Sequence, residues 1–153
     1  MEEIKRIIDQ LERAFEGNAW HGPSIRELLA DVTADRAAAK PVAGGHSIWE
    51  IVLHMAAWEG AVRRRLEGER VELSPEEDWP PVMDTSEVAW RDALAGLEDG
   101  HMKLREVISQ LTDSQLESVV VGKGYSVYFM LHGVIQHDLY HAGQIALLKR
   151  AMR

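Results

Sequence analysis

The stretch Gln136-His137-Asp138-Leu139-Tyr140-His141 lies inside a long apolar helical pattern near the end of the chain. This pattern predicts a helix from about Val127 to Met152, with Ser126 as its N-cap. His137 and His141 are four positions apart, so both imidazoles project from one face of that helix. Two imidazoles placed in this way can be neighbouring ligands of one metal ion.

The same periodicity predicts three more long helices, at about residues 2–15, 48–66 and 86–110. Capping-box sequences support two helix starts, because Ser24-Ile25-Arg26-Glu27 opens a short helix and Ser47-Ile48-Trp49-Glu50 opens the second long one. Prolines and glycines between residues 68 and 84 predict a long loop. The expected fold class is all-α, a four-helix bundle with a long crossover loop between helices two and three.

Composition limits the classes of function. The 153 residues fit a single domain, 1–153, and a net charge of −8 disfavours nucleic acid as a partner. No apolar stretch is long enough to span a membrane, and the charged start lacks the pattern of a secretory signal, so we expect a cytoplasmic protein. The chain has no cysteine, so any metal must be held by nitrogen and oxygen atoms.

A third candidate ligand, His54, lies inside the apolar helical run from Ile48 to Trp58. A histidine there without a partner would lose hydration at a cost in free energy. Three neutral imidazoles from two helices would hold a metal and leave a position for water or substrate, which is typical of a reactive site. The alternative is that these histidines are hydrogen-bonded core residues, and spacing alone does not decide between the two interpretations.

Three further polar residues lie near the candidate ligands in sequence. Asp138, three positions before His141, either orients that ring or faces solvent, and its angle of about 100° from His137 favours solvent. Gln144 lies on the histidine face and could touch substrate or a neighbouring helix. Glu50, one turn before His54, is the best placed general base, although its position in a capping box already explains it.

The histidine of the second helix, in its Trp-rich stretch, and the pattern His-Asp-x-x-His-x-Gly-Gln-Ile at residues 137–145 together resemble the DinB-like or YfiT-like superfamily. The resemblance extends over nearly the whole chain. It implies a small metal-binding four-helix bundle in which His54, His137 and His141 hold a divalent metal, most often zinc or nickel. It also implies a homodimer.

A site of three imidazoles has no negatively charged ligand, so a bound dication keeps most of its Lewis acidity. Water at such a site approaches a pKa of about 7, and a thiol loses its proton still more readily. The resemblance includes enzymes that use low-molecular-weight thiols. We therefore expect a metal-dependent thiol S-transferase or hydrolase with a small-molecule substrate, whose catalytic residues the sequence does not assign. The alternative is a non-catalytic metal-binding dimer of the stress response.

Overall fold

The computed structural model describes residues 2–153, and every regular secondary structure element in that part of the chain is helical. Within these residues no β-strand forms, and the all-α class is confirmed. Among the residues described, no helix is both long and apolar enough to cross a bilayer. The elements are α1 (Glu3–Phe15), α2 (Ile25–Leu29), α3 (Ala34–Ala38), α4 (Ile48–Leu66), α5 (Pro75–Asp78), α6 (Glu87–Ser109), a 3₁₀ helix (Asp113–Glu117) and α7 (Val127–Ala151).

The two helix starts predicted from capping boxes are formed as such. The Ser47 hydroxyl accepts from the Glu50 amide at 3.1 Å, and the Glu50 carboxylate accepts from the Ser47 amide at 2.7 Å. Ser24 and Glu27 exchange the same pair of hydrogen bonds. Because each box satisfies amides that have no partner within the helix, it determines where the helix begins.

The segment between α4 and α6, for which the sequence predicts a loop, contains the short helix α5. Ser74 and Glu77 form a capping box, and Pro75 occupies the first helical position. These are ordinary signals of a helix start, so the S-x-x-E pattern at residues 74–77 could have predicted α5. The helix ends at Asp78 and Trp79, which it brings against α4.

The long helices bury two apolar clusters that a polar layer separates. Helix α4 packs against α6 and α7, and α1 packs against the same two helices. Each of α4, α6 and α7 has a fully buried polar residue between the part of its stripe in one cluster and the part in the other. These three residues, which we call the polar layer, are Glu59, His101 and Asp138.

Candidate metal centre

Helices α4 and α7 bring His54, His137 and His141 together. One ring nitrogen of each lies within 4.8 Å of the others. The Nε2 atoms of His54 and His137 are 3.0 Å apart. His54 and His141 are buried and His137 is half-buried, so the three rings lie at the edge of the core and not on an exposed helix face.

The Nδ1 atoms of two of these rings are bound by acceptors. Nδ1 of His54 lies 2.7 Å from the backbone oxygen of Asp78 and 3.1 Å from its carboxylate. Since a carbonyl oxygen only accepts, Nδ1 of His54 carries the proton and Nε2 carries the lone pair. Gln144 Oε1, 2.8 Å from Nδ1 of His141, favours the same tautomer there. Metal-binding histidines characteristically donate their second ring N–H in this way.

The arrangement fits the divalent metal that the resemblance implies. Ligand nitrogens around a tetrahedral zinc ion are separated by about 3.3 Å, given bonds of about 2.0–2.1 Å. The 3.0 Å between Nε2 of His54 and Nε2 of His137 is close to that spacing. Because the Nε2 lone pair of His54 points at its neighbour, a cation or a proton must lie between the two nitrogens. His54, His137 and His141 are the residues that would hold the metal.

The protonation of the rings also suits a metal. Burial lowers the pKa of His137 to about 4, and the neighbouring His141 and His54 contribute in the same direction. Burial also lowers the pKa of His141, although the hydrogen bond to Gln144 opposes it. Both rings are therefore neutral at pH 7, and neutral imidazole is the form that binds metal.

The end of α5 covers one side of the site. The indole of Trp79 stacks on His54 with ring centroids 3.8 Å apart, and His46 stacks on its other face at 3.6 Å. The Trp58 indole N–H donates to the Asp78 carboxylate at 2.6 Å, which fixes the turn that holds His54. The sequence analysis missed Asp78 and Trp79, because only the path of the chain between α4 and α6 brings them to the histidines.

The sequence also singled out Gln144, Glu50 and Asp138, and each of them lies in a different environment. Gln144 contacts His141, as described above. Glu50 lies in its capping box and binds Lys40 Nζ at 2.8 Å. Burial would raise the pKa of Glu50, but Lys40 and the Ser47 amide lower it below its ordinary value, so Glu50 is a weak base held in a structural role.

The expectation that Asp138 faces solvent is wrong, since its side chain is fully buried. Its carboxyl makes no hydrogen bond to His141, and it faces Glu59 in the polar layer. The reason is visible in the sequence: Asp138 lies four positions after Val134 and four before Ala142, on the apolar stripe of α7. The position of Asp138 relative to this apolar stripe, and not its angle of about 100° from His137, decides where its side chain lies.

Two buried carboxyls therefore meet inside the protein. Burial, and next the facing Asp138, raise the pKa of Glu59 well above its ordinary range. Burial raises the pKa of Asp138 to about 7. Within residues 2–153, neither carboxyl accepts a hydrogen bond from a backbone amide or a basic side chain. A proton shared between the two satisfies both, since two adjacent carboxylates without water are strongly unfavourable.

His101 completes the polar layer and was also missed. Its Nε2 lies 3.1 Å from the Glu16 carboxylate, its ring stacks on Phe15 at 3.9 Å, and its Nδ1 is 4.0 Å from Glu59. Burial lowers the pKa of His101 despite the Glu16 carboxylate. Apolar periodicity on α6 could have found this residue, because Leu97 and Leu104 flank it at helical spacing on the buried stripe.

The fold and the site together define a class: an all-α protein in which α4 and α7 hold three imidazoles in a candidate metal centre. Comparison with protein families matches residues 19–145 to the DinB superfamily, a range that includes all three histidines. The chain belongs to the DinB superfamily. Searches of curated proteins and of solved structures found no significant match.

Proposed function

We propose that this protein is a divalent-metal-dependent enzyme, a thiol S-transferase or a hydrolase, acting on a small molecule at the site of His54, His137 and His141. The observation that carries the proposal is the convergence of three imidazoles, with no carboxylate among the three candidate ligands. A bound zinc or nickel ion would supply a Lewis acid that lowers the pKa of water or of a low-molecular-weight thiol.

The protein's own residues would prepare the site for this chemistry. Asp78 and Gln144 orient two rings so that their lone pairs point to the same place. The stacked indole of Trp79 shields His54 from water on one side. Exclusion of water lowers the local dielectric constant and strengthens electrostatic interactions with a developing negative charge.

A cavity beside His137 favours an enzyme over the alternative of a non-catalytic metal-binding protein of the stress response. A protein that only stores or senses metal has no need for space next to the ligands, whereas a catalyst must admit a substrate. We also propose that the four long helices form a four-helix bundle with the α5 segment in its crossover, and that the chain forms a homodimer, as the family resemblance implies.

The test of metal binding is elemental analysis of protein purified without an affinity tag. We expect about one zinc or nickel ion per chain, and its loss in His54→Ala, His137→Ala and His141→Ala, because two imidazoles are too few to hold the ion. His132→Ala is the matched control, since His132 lies on the same helix outside the three-histidine site. Wild-type metal content in His141→Ala would contradict the assignment.

Catalysis is tested on the same proteins. Metal-loaded wild type is screened for thiol-dependent consumption of electrophiles and for hydrolysis of activated esters. We expect one of the two activities, and we expect it to disappear with the metal in the three alanine variants. Full metal content without either activity would favour the non-catalytic alternative.

A further inference from the structure

A slot between α4 and α7 extends away from the three histidines. It has a volume of about 230 Å³, and His137 lies at one end of it. Its walls are otherwise mainly apolar or aromatic, formed by Trp58, Val62, Phe129, Met130 and Val134. The slot therefore shares His137 with the candidate metal centre and is otherwise lined by different chemistry.

Helix α7 contributes no side chain to the slot at residue 133, where glycine forms part of the wall. Phe129, Gly133 and His137 are each four positions apart, so they lie on one face of the helix. A Cβ atom added at Gly133 would meet no other atom within 4 Å, apart from its immediate surroundings in the helix. On α4, His54 and Trp58 are likewise one turn apart, so both helices lead from the histidines into the slot.

The far end of the slot is closed by Arg65, which is buried but is directed at neutral groups. Its guanidinium donates to the backbone oxygen of Val71 at 2.9 Å and to the Tyr125 hydroxyl at 3.1 Å. It also lies over the ring of Trp58, 5.5 Å from the centroid. These contacts use the guanidinium to hold the aromatic walls in place, so the slot presents an apolar surface.

We propose that this slot binds an apolar group of the substrate, about the size of one aromatic ring or of a chain of five or six carbon atoms. An apolar cavity of about 150 Å³ is known to bind benzene, so a slot of this volume accommodates such a ring with a small substituent. The adjoining reactive atom would then lie beside His137, at the three imidazoles. The inference rests on the metal-dependent function proposed above.

Phe129 would be the specificity residue at the rim. Its side chain is 63% exposed, an unusual position for a large aromatic ring, and it lies 5.2 Å from the ring of Tyr125. A bound apolar group would cover part of this surface and remove it from water, which is favourable in proportion to the area covered. Shortening residue 129 should weaken binding without disturbing the core.

The experiment uses toluene as the probe and the metal-free full chain as the protein. Binding is followed by ¹⁵N–¹H NMR, through the amides of Gly133 and Val134 and the indole N–H of Trp58. We expect these signals to shift together and to saturate. Since no metal is present, this measurement tests the slot independently of the proposed function, which elemental analysis tests.

Two variants locate the binding site, and a third is the control. Gly133→Leu places a side chain in the slot and should raise the Kd for toluene about tenfold or more. Phe129→Ala should raise it roughly threefold through loss of aromatic contact. Gly96→Leu makes the same substitution at an exposed position of α6 away from the slot, and we expect wild-type binding.

Three results would overturn the proposal. One is the absence of saturable shifts in the wild type, and another is wild-type binding by both Gly133→Leu and Phe129→Ala. The third is a much tighter binding of benzoate than of toluene, because it would show that Arg65 recognises an anion. If Gly133→Leu does not fold, Phe129→Ala carries the test, since its exposed side chain contributes little to the core.

Discussion

At the scale of single residues, the contact between Asp78 and His54 is the most consequential one in the site. The backbone oxygen and the carboxylate of Asp78 both face Nδ1 of His54, and the same carboxylate accepts from the Trp58 indole. One residue of α5 thus determines the tautomer of a ring on α4. Substituting Asp78 therefore tests how much the support of His54 adds to metal affinity, while the three candidate ligands stay in place.

Asp78→Ala should weaken metal binding about tenfold, at the lower end of the range for residues that support a ligand, because the backbone oxygen remains. The measurement is a competition titration with a chromophoric chelator. Glu76→Ala is the matched control, since it removes an exposed carboxylate from the same helix without touching His54. Equal affinities of the two variants would show that the carboxylate does not support the site.

At the scale of secondary structure elements, the polar layer determines how α4, α6 and α7 meet. Each of these helices contributes one titratable residue to a core that is otherwise apolar at the same level. Burying two negatively charged carboxylates side by side is costly. The polar layer is therefore tolerated only while Glu59 and Asp138 share a proton. The contact between α4 and α7 should therefore respond to pH.

Glu59→Gln should stabilise the protein increasingly as the pH rises. Above pH 4.5 the unfolded chain loses a proton at residue 59 while the folded wild type, with its raised pKa, retains it, so the free energy of unfolding of the wild type falls with pH. This fall is at most about 1.4 kcal/mol per pH unit, and glutamine has no such proton to lose.

The measurement is urea denaturation of metal-free protein at pH 4, 6 and 8. The pH 4 experiment is the internal control, because residue 59 is then largely neutral in both states of both proteins. A difference between wild type and Glu59→Gln that is the same at all three pH values would contradict the assignment of a raised pKa to Glu59.

At the scale of the whole molecule, we expect the fold not to depend on the three imidazoles. The two apolar clusters are built from side chains of all the long helices, and neither includes His54, His137 or His141. A chelator should therefore leave the helical circular dichroism intact while lowering Tm, since metal binds only the folded chain. At a free metal concentration of 100 Kd the stabilisation is about 2.7 kcal/mol. An unfolded metal-free chain would make the site structural.

The homodimer is tested by sedimentation equilibrium. We expect a mass of twice the 17.2 kDa of one chain. Exposed apolar side chains on α7, among them Tyr140 and Leu147, are consistent with a contact between copies. A monomer at micromolar concentrations, with and without zinc, would contradict the dimer.

Local signals were enough to predict most of the helices. The bounds of α4 agree with the prediction, and those of α7 agree within one residue, because apolar periodicity and capping act over only a few neighbouring positions. The same local signals placed His137 and His141 on one face. They also singled out His54, whose apolar surroundings are evident in the sequence.

The sequence by itself thus determined the four long helices and singled out the three histidines. Only the tertiary structure decided that Asp78 meets His54, that Asp138 meets Glu59, and that Gly133 leaves a slot beside His137. The physical reason is the separation along the chain over which each kind of interaction acts. Helix formation is governed by residues within about one turn, whereas these contacts depend on how helices rotate and cross and on the path of the chain between them.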